Sequence, residues 1–266
     1  MKPSTTRNSF ASNVLEVCFL SIFILISAST AAVANSERVV IRDNVTARQR
    51  EELSKRLRTI TGWATLHFDS NGVLQLGRQE PATGSASARS LLYHAVTGDQ
   101  YIVIEDASGR SDVAFCRVVP ARWLTAGVKM PAFVVLIDFA DFKQIVGDDE
   151  ARAAFNVGWG VLHEMDHVVS DSKDSDDQGL LGECEMHINA MRRELGLPLR
   201  ADYFYSESKL KTDPNFNTKL VRLAFEQFDS TRLRVRRYWI VWDATVVGGL
   251  STLNQTAAVR AVPSTR

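Results

Sequence analysis

The sequence predicts an α+β fold, and three observations support this prediction. Runs of β-branched and aromatic residues dominate between Trp63 and Phe139, whereas the apolar residues after Asp149 recur at helical spacing. Separate strand and helix regions along a chain are typical of α+β proteins. The composition, with 45% hydrophobic and 23% charged residues, is that of a globular protein and excludes a disordered chain.

The first 34 residues have the pattern of a secretory signal peptide. Lys2 and Arg7 precede a short apolar run, Val17–Ile26, and a small-x-small triplet ends at Ala34. The run is about half of the ~20 residues that a membrane span needs. We therefore expect export to the periplasm or the cell exterior, with cleavage near Ala34; an uncleaved membrane anchor is the alternative.

The remaining residues, 35–266, are predicted to form one domain, because no repeat or long low-complexity tract divides them. We expect a β-rich half over 35–147 and a helical, metal-binding half over 148–266. The chain has 31 basic and 31 acidic residues. It therefore lacks the excess of Lys and Arg that nucleic acids and anionic membranes attract, and we expect neither partner after signal removal.

Caps and turns mark the elements of the first half. Thr46 can cap a helix, and Asp69–Gly72 can form a hairpin turn. The predicted elements are, in order, helix Ala47–Leu57, strands Trp63–Phe68 and Val73–Leu76, helix Ala86–Val96, and strands Tyr101–Glu105, Val113–Val119 and Phe133–Phe139.

The second half is predicted to be mainly helical. Acidic residues open its first helix, and Gly196 followed by Pro198 ends its second. The predicted elements are helix Asp149–Val169, an acidic loop Ser170–Gly179, helix Leu181–Leu195, helix Thr218–Phe228, strand Tyr238–Trp242 and a Gly248-Gly249 turn.

The first of these helices contains an HExxH motif formed by His163, Glu164 and His167. Residues four apart lie on one helix face, so both imidazoles can bind one Zn²⁺. Glu164 lies beside them, where it can deprotonate a water molecule that the metal has activated. Composition alone would produce such a match roughly 0.005 times in this chain, so chance is a poor explanation.

A catalytic zinc ion needs a third protein ligand, and the next helix begins with Glu183 and Glu185. Residues two apart cannot face the same point on a helix. We favour Glu185, because Asn189 lies one turn later on the same face and could hydrogen-bond a ligand histidine. Glu183 is the alternative, and Cys184 and His187 are weaker candidates.

The acidic loop also permits a calcium site. Asp174, Asp176, Gly179 and Glu185 occupy positions 1, 3, 6 and 12 of an EF-hand-like loop. Position 5 is a glutamine, however, and the residues just before Asp174, 170–173, are typical of a loop rather than of the incoming helix of an EF-hand. Calcium therefore remains an alternative to a solvated linker.

A hydrolase also needs a donor for a developing oxyanion, and no spacing rule identifies it here. Tyr203 and His187 are the leading candidates, with Arg192 and Tyr205 as others. Separately, Cys116 and Cys184 remain after signal removal. Exported proteins commonly form disulfides, but sequence does not show whether these two are close enough to pair.

The HExxH helix, followed by an acidic residue on the next helix, resembles the gluzincin class of zinc metallopeptidases. Residues 189–203, with the pattern N-x-x-R-x-E-L-G-L-P-x-R-x-x-Y, are similar to a segment of effector and polymorphic-toxin zinc metallopeptidases. The resemblance covers roughly residues 150–205. It implies a zincin-like active-site helix, zinc at His163 and His167, and Glu164 as general base. Ile188 departs from the effector pattern, in which an acid precedes the asparagine.

The sequence therefore predicts a secreted or periplasmic zinc metallopeptidase that acts on a peptide or protein substrate. The apolar strand Phe133–Phe139 is expected beside the active-site helix, where it could bind an extended peptide by strand addition. Two alternatives remain. The chain could be a non-catalytic exported module with a structural zinc or none, or a zinc hydrolase acting on a non-peptide amide.

Overall fold

The structure is a computed structural model that describes residues 38–77, 81–125, 128–207 and 219–248. By its contacts the chain divides into Met1–Ser36 and Glu37–Arg266, and every described residue belongs to the second unit. The predicted signal peptide, residues 1–34, lies outside the described residues. Within the described ranges, no helix is both long enough and apolar enough to cross a membrane.

The described residues form a mixed α+β fold. The helices are α1 (Ala47–Thr61), α2 (Ala86–Thr97), α3 (Asp149–Ala154), α4 (Val157–Ser170) and α5 (Gly182–Glu194). The strands are β1 (Val39–Ile41), β2 (His67–Phe68), β3 (Leu74–Gln75), β4 (Tyr101–Asp106), β5 (Cys116–Thr125), β6 (Val128–Ile137), β7 (Val146–Gly147), β8 (Leu199–Arg200), β9 (Ser206–Glu207), β10 (Leu220–Asp229) and β11 (Arg234–Asp243).

The first sheet has the strand order β1-β4-β6-β5, in which β5 alone is antiparallel to its neighbour. Ile102, Val103 and Ile104 of β4 are all buried, because both faces of this central strand are covered. Helices α1, α2 and α4 pack on one face. A smaller apolar cluster that includes Val134 and Leu136 lies on the other face. Strand β5 is left at an edge of the sheet.

The first predicted helix is confirmed and extends to Thr61. The Thr46 side chain accepts a hydrogen bond from the Gln49 amide, and the Gln49 side chain accepts one from the Thr46 amide. This capping box fixes the start of the helix. Leu53 and Leu57, one turn apart, are fully buried and attach the helix to the core.

Several strands of the first half differ from their predicted ranges, and Phe133–Phe139 is replaced by Val128–Ile137. Trp63–Phe68 is extended only at His67–Phe68, and Val113–Val119 is replaced by Cys116–Thr125. Phe115 has a φ of 63°. A positive φ at a bulky residue interrupts a strand, so the pairing of β5 begins at the next residue.

The single helix predicted over Asp149–Val169 is divided into α3 and α4, because the chain leaves helical geometry at Phe155 and Asn156. The Asn156 side chain accepts a hydrogen bond from the amide of Gly158 and caps α4. Farther along α4, a Cβ on Gly160 would lie 2.7 Å from Sγ of Cys116. This glycine therefore allows β5 to approach the helix that carries the HExxH motif.

The helix predicted over Thr218–Phe228 is wrong, because Leu220–Asp229 form strand β10. Alternate residues Val221, Leu223 and Phe225 are buried, and the whole strand pairs with β11 in antiparallel register. The apolar residues of this segment fit both a helical and a strand period, and the pairing with β11 decides between them. The second half of the fold therefore contains a long hairpin, and the first half contains α1 and α2, so the predicted β-rich and helical halves are not separate.

Candidate metal centre

The centre begins with the two histidines of the HExxH helix, α4. The ring centroids of His163 and His167 are 4.8 Å apart. Their Nε2 atoms face the same carboxylate, since Oδ1 of Asp174 lies 3.1 Å from His163 and Oδ2 lies 3.3 Å from His167. The structure thus brings both predicted histidines together with an acidic residue of the following loop.

Asp174 reaches the helix because this loop folds back onto the start of α5. A β-bridge joins Asp174 to Gly182. Gly182 has a φ of 74°, and a Cβ there would lie 2.4 Å from the main-chain nitrogen of Ser175. Glycine is therefore required for the loop to close. Sequence reasoning considered Asp174 only as a calcium ligand and missed its contact with the histidines.

One oxygen of the Asp174 carboxylate has no hydrogen-bond donor. Oδ1 is buried and unpartnered within the described residues, because the nearby Nε2 of His163 is not aligned for a hydrogen bond. Leaving a buried carboxylate oxygen without a partner is costly. A cation held between the carboxylate and the two imidazoles would remove that cost.

The surroundings favour an ionised Asp174. Burial alone would raise the pKa of this carboxyl, but the nearby imidazoles of His163 and His167 outweigh burial and hold the pKa well below its usual range. Burial alone would lower the pKa of His167, but contacts with Asp174, Cys184 and the Ser172 carbonyl raise it to about 11. Without metal, the centre therefore pairs an anionic Asp174 with a protonated His167, and a bound metal would displace the imidazole proton.

Cys184 adds a fourth candidate donor. Donor atoms of His163, His167, Asp174 and Cys184 lie within 4.8 Å of one another. Imidazole, carboxylate and thiol are the ligands that zinc prefers, and adjacent ligands of a tetrahedral zinc with bonds of ~2.0 Å are ~3.3 Å apart. The N–O separations of 3.1 and 3.3 Å therefore fit zinc.

The same donors do not fit calcium, which takes oxygen ligands only. Asp174 faces two imidazole nitrogens, and Asp176 is exposed. Glu185 is paired with two arginines, so its carboxylate is not available to close an EF-hand-like loop.

The Cys184 thiol also has a partner of its own. Its side chain is fully buried, and Sγ donates a hydrogen bond to the main-chain oxygen of His163 at 3.3 Å. Cys116 and Cys184 are both free thiols. The disulfide that the sequence left open is not present in the structure.

Glu185, predicted as the third ligand, is not among the four donors. Its buried carboxylate is hydrogen-bonded to the guanidinium groups of Arg192 and Arg200, and Oε2 lies 3.4 Å from Nδ1 of His163. Burial would raise the pKa of this carboxyl, but the two arginines outweigh burial and lower it. Glu185 therefore contacts the side of the imidazole opposite to Nε2. The alternative ligand, Glu183, is exposed to solvent.

Asn189, predicted to bond a ligand histidine, instead supports the two arginines. Its Nδ2 donates to the main-chain oxygen of Arg200 at 2.9 Å, and its Oδ1 accepts from Arg192 at 2.9 Å and from the Arg200 amide at 2.8 Å. Glu194 accepts a hydrogen bond from the amide of Ser87 at 3.1 Å and joins α5 to α2. The polar residues of segment 189–203 thus hold Glu185 and the fold around it.

His167 is oriented through its second ring nitrogen. Nδ1 lies 2.9 Å from the main-chain oxygen of Ser172, which leaves Nε2 to face a ligand. The Ser172 hydroxyl donates to Asp166, which is itself part of the HExxH motif, at 2.7 Å. His187 lies 2.8 Å from the same carboxylate. His187 therefore contacts Asp166 and is not one of the four donors.

Of the four predicted oxyanion donors, Tyr203 contacts the centre. Its hydroxyl donates to Oδ2 of Asp174 at 2.6 Å, and its ring stacks on His163 with centroids 6.3 Å apart. Arg192 is buried beside Glu185, and the Tyr205 ring packs against Trp242.

The side chain of Glu164 is buried where α4 packs against the first sheet. Its Oε2 accepts a hydrogen bond from the amide of Val118 on β5 at 2.9 Å. Burial raises the pKa of this carboxyl, and the charges of His163 and His167 only partly offset that effect. The other oxygen, Oε1, has no hydrogen-bond partner in the described part of the chain. This carboxyl is therefore fixed at one oxygen and available at the other.

The predicted strand packs against the HExxH helix as expected, but it is not an edge strand. Phe133–Ile137 belongs to β6, which pairs with β4 on one side and β5 on the other. Both edges of β6 are occupied, so it cannot accept a peptide by strand addition. The edge strand that contacts α4 is β5, through Val118 and Glu164.

Comparison with known proteins identifies no relative: no family model, curated protein or solved structure matches the chain. The functional assignment therefore depends on the residues of the centre.

Proposed function

We propose that the chain is an exported zinc metallopeptidase in which His163, His167 and Asp174 hold the metal and Glu164 is the general base. The observation that carries the proposal is the unpartnered, buried Oδ1 of Asp174, in a carboxylate that lies beside the Nε2 atoms of two histidines. A metal cation bound between the carboxylate and the imidazoles would give this oxygen the partner that it lacks. The donor chemistry favours zinc over magnesium or calcium.

The position of Glu164 supports a catalytic role rather than a purely structural one. Zinc at these donors would lower the pKa of a water molecule and polarise a substrate carbonyl. The free oxygen of Glu164 would accept a proton from the attacking water and return it to the leaving amine. The Val118 amide holds the other oxygen at 2.9 Å, so the carboxylate keeps its orientation while it does so.

An extended peptide is the substrate that suits this arrangement. Strand β5 lies at the edge of its sheet, and Val118 on it contacts the proposed general base. A peptide that pairs with the free edge of β5 would run along the HExxH helix. Export is proposed from the pattern of residues 1–34.

The test is the activity of Glu164→Gln against a peptide library, with Glu183→Gln as the matched control on an exposed residue. Gln retains an acceptor for the Val118 amide but cannot act as a base. We expect the Glu164 variant to lose hydrolysis while it retains about one zinc per chain, and the control to behave as wild type. An active Glu164→Gln enzyme would refute the proposal. Cleavage of peptidoglycan fragments but of no peptide would favour a non-peptide amide as substrate.

A second candidate, a non-catalytic structural zinc site, is favoured by Cys184. Four protein ligands close a zinc site, whereas a catalytic zinc keeps one position open. Our proposal treats Cys184 as a thiol bonded to the His163 carbonyl. Cys184→Ala should therefore retain zinc and activity. Loss of zinc from this variant, in a chain that remains folded by circular dichroism, would favour the closed site.

A further inference from the structure

The hairpin formed by β10 and β11 ends in a tip that is exposed on both faces. Every residue from Thr231 to Arg237 is exposed. Farther from the turn, the same two strands are buried, as at Phe225 and Tyr238. The tip therefore extends beyond the core that the hairpin covers. We call residues 228–237 the hairpin tip.

Large apolar side chains lie at this tip in contact with solvent. Leu233 is 80% exposed, Phe228 63% and Val235 57%. Phe228 and Val235 are directly opposite each other in the β10–β11 register, so their side chains share one face. Leu233 has a φ of 48°, which is uncommon for a residue with a branched side chain. Exposed apolar clusters of this kind mark interaction surfaces.

Arginines surround the apolar side chains. Four arginines but only one carboxylate, Asp229, lie within the tip, namely Arg232, Arg234, Arg236 and Arg237. Arg237 is paired with Glu226. Among the described residues no carboxylate lies within ion-pair distance of Arg234 or Arg236. The tip is therefore strongly positive on a chain whose formal net charge is zero.

Two arginines stack on a tryptophan at the base of the tip. The guanidinium groups of Arg222 and Arg237 lie 4.0 and 5.8 Å from the centre of the Trp239 ring. Such cation–π contacts restrain both arginines and the tryptophan. Trp239 is therefore already covered and does not offer a free face on which a nucleic acid base could stack.

We propose that the hairpin tip binds anionic phospholipid membranes, with Leu233, Phe228 and Val235 entering the interface and the arginines contacting lipid phosphates. In this arrangement the apolar side chains at the end of the hairpin would reach the acyl chains of an anionic membrane, and the arginines behind them would lie at the level of the phosphate headgroups. Guanidinium groups bind phosphate oxygens in a bidentate manner. The balanced charge of the whole chain does not oppose this, because the arginines are concentrated at one place.

The test is sedimentation of the chain with lipid vesicles. Residues 1–34 are omitted, so that the apolar run Val17–Ile26 does not bind lipid, and the compact unit Glu37–Arg266 is retained. The vesicles contain phosphatidylcholine alone or phosphatidylcholine with phosphatidylglycerol. The tip variants are Leu233→Asp and the double variant Arg234→Glu/Arg236→Glu.

Matched controls introduce the same changes at exposed positions elsewhere. Tyr93→Asp replaces an apolar residue that is 56% exposed on α2, and Arg48→Glu/Lys55→Glu reverses two exposed charges on α1. We expect wild type and both controls to sediment with the anionic vesicles only. Each tip variant should lower the partition coefficient about tenfold.

Three results would overturn the proposal. The first is a wild-type chain that does not bind anionic vesicles, and the second is binding that both tip variants retain. The third is loss of vesicle binding in the arginine variant alone, while Leu233→Asp binds vesicles as wild type does and both wild type and Leu233→Asp are retained equally on a heparin column. That result would indicate that the tip binds a soluble polyanion. All variants should keep their zinc, so failure of this proposal is distinguishable from failure of the proposed function.

Discussion

The phenolic oxygen of Tyr203 lies 2.6 Å from Oδ2 of Asp174. This hydrogen bond joins the end of segment 189–203 to the acidic loop that follows the HExxH helix. Oδ1 of Asp174 would then bind the metal while Oδ2 accepts the hydrogen bond from Tyr203. Partners of this kind orient a metal ligand without contacting the metal.

Tyr203→Phe should therefore weaken zinc binding without abolishing it. Removal of an outer hydrogen-bond partner typically lowers metal affinity about 10- to 100-fold. Competition with a chelating dye measures the affinity, and Tyr205→Phe serves as the control because that ring packs on Trp242. Equal affinities for wild type and Tyr203→Phe would show that the hydroxyl does not orient the ligand.

Glu185→Gln tests whether Glu185 anchors two buried arginines. Arg192 and Glu185 are almost completely buried, and removing one charge of a buried pair costs ~3–5 kcal/mol because the other is left uncompensated. We expect a loss of this size in the free energy of unfolding, measured with urea on the metal-free chain. The exposed Glu183→Gln should change it by less than ~0.5 kcal/mol. If the metal-free Glu185→Gln chain is as stable as wild type, Glu185 does not anchor the arginines, and binding metal would be its only role.

Asp166→Asn tests how the centre positions His167. Asp166 accepts a hydrogen bond from the Ser172 hydroxyl at 2.7 Å, and the Ser172 carbonyl lies 2.9 Å from Nδ1 of His167. Asp166 also accepts a hydrogen bond from the Ser170 hydroxyl at 2.9 Å. Asn has a single acceptor oxygen and cannot accept from both hydroxyls, so residues 170–172 should be less well fixed. We expect zinc affinity to fall about tenfold. Ser172→Ala should lower the zinc affinity by a similar factor. If the effects of the two substitutions on zinc affinity simply add in the double variant, Asp166 and Ser172 do not act on His167 through the same hydrogen bond.

Gly160→Ala tests the close approach of β5 to the HExxH helix. The added methyl group would lie 2.7 Å from Sγ of Cys116 and 3.0 Å from the Phe142 ring. Overpacking of this kind costs ~1–3 kcal/mol, even though alanine is a better helix former. In a Cys116→Ala background much of that cost should disappear. Urea unfolding of the four chains in this double-mutant cycle measures the coupling, and a coupling near zero would mean that the two positions are not in contact.

The parts of the fold that local spacing determines could be predicted from the sequence. The capping box at Thr46 and the end of α5 near Gly196 depend on neighbouring residues. Two histidines four apart must also share a face if the segment is helical. The segment Leu220–Asp229 could not be assigned in the same way, because its apolar residues fit two periods and only pairing with β11 selects the strand.

The third member of the donor set depends on contacts that are distant in sequence. Asp174 reaches the histidines because Gly182 allows the loop to fold back, and no periodicity describes such a loop. Glu185 is in the expected place, but Arg192 and Arg200 compete for its carboxylate from seven and fifteen residues away. A glycine at the first position of a helix, directly after an acidic loop, was the available signal for the loop closure.

The zinc content of the purified chain tests the central claim most directly. Elemental analysis compares wild type with Asp174→Ala and with Glu183→Ala, an acidic residue of the same region that is exposed. We expect about one zinc per chain in wild type and in Glu183→Ala, since three ligands remain intact, and little zinc in Asp174→Ala. Wild type without zinc, or Asp174→Ala with its full zinc content, would contradict the account.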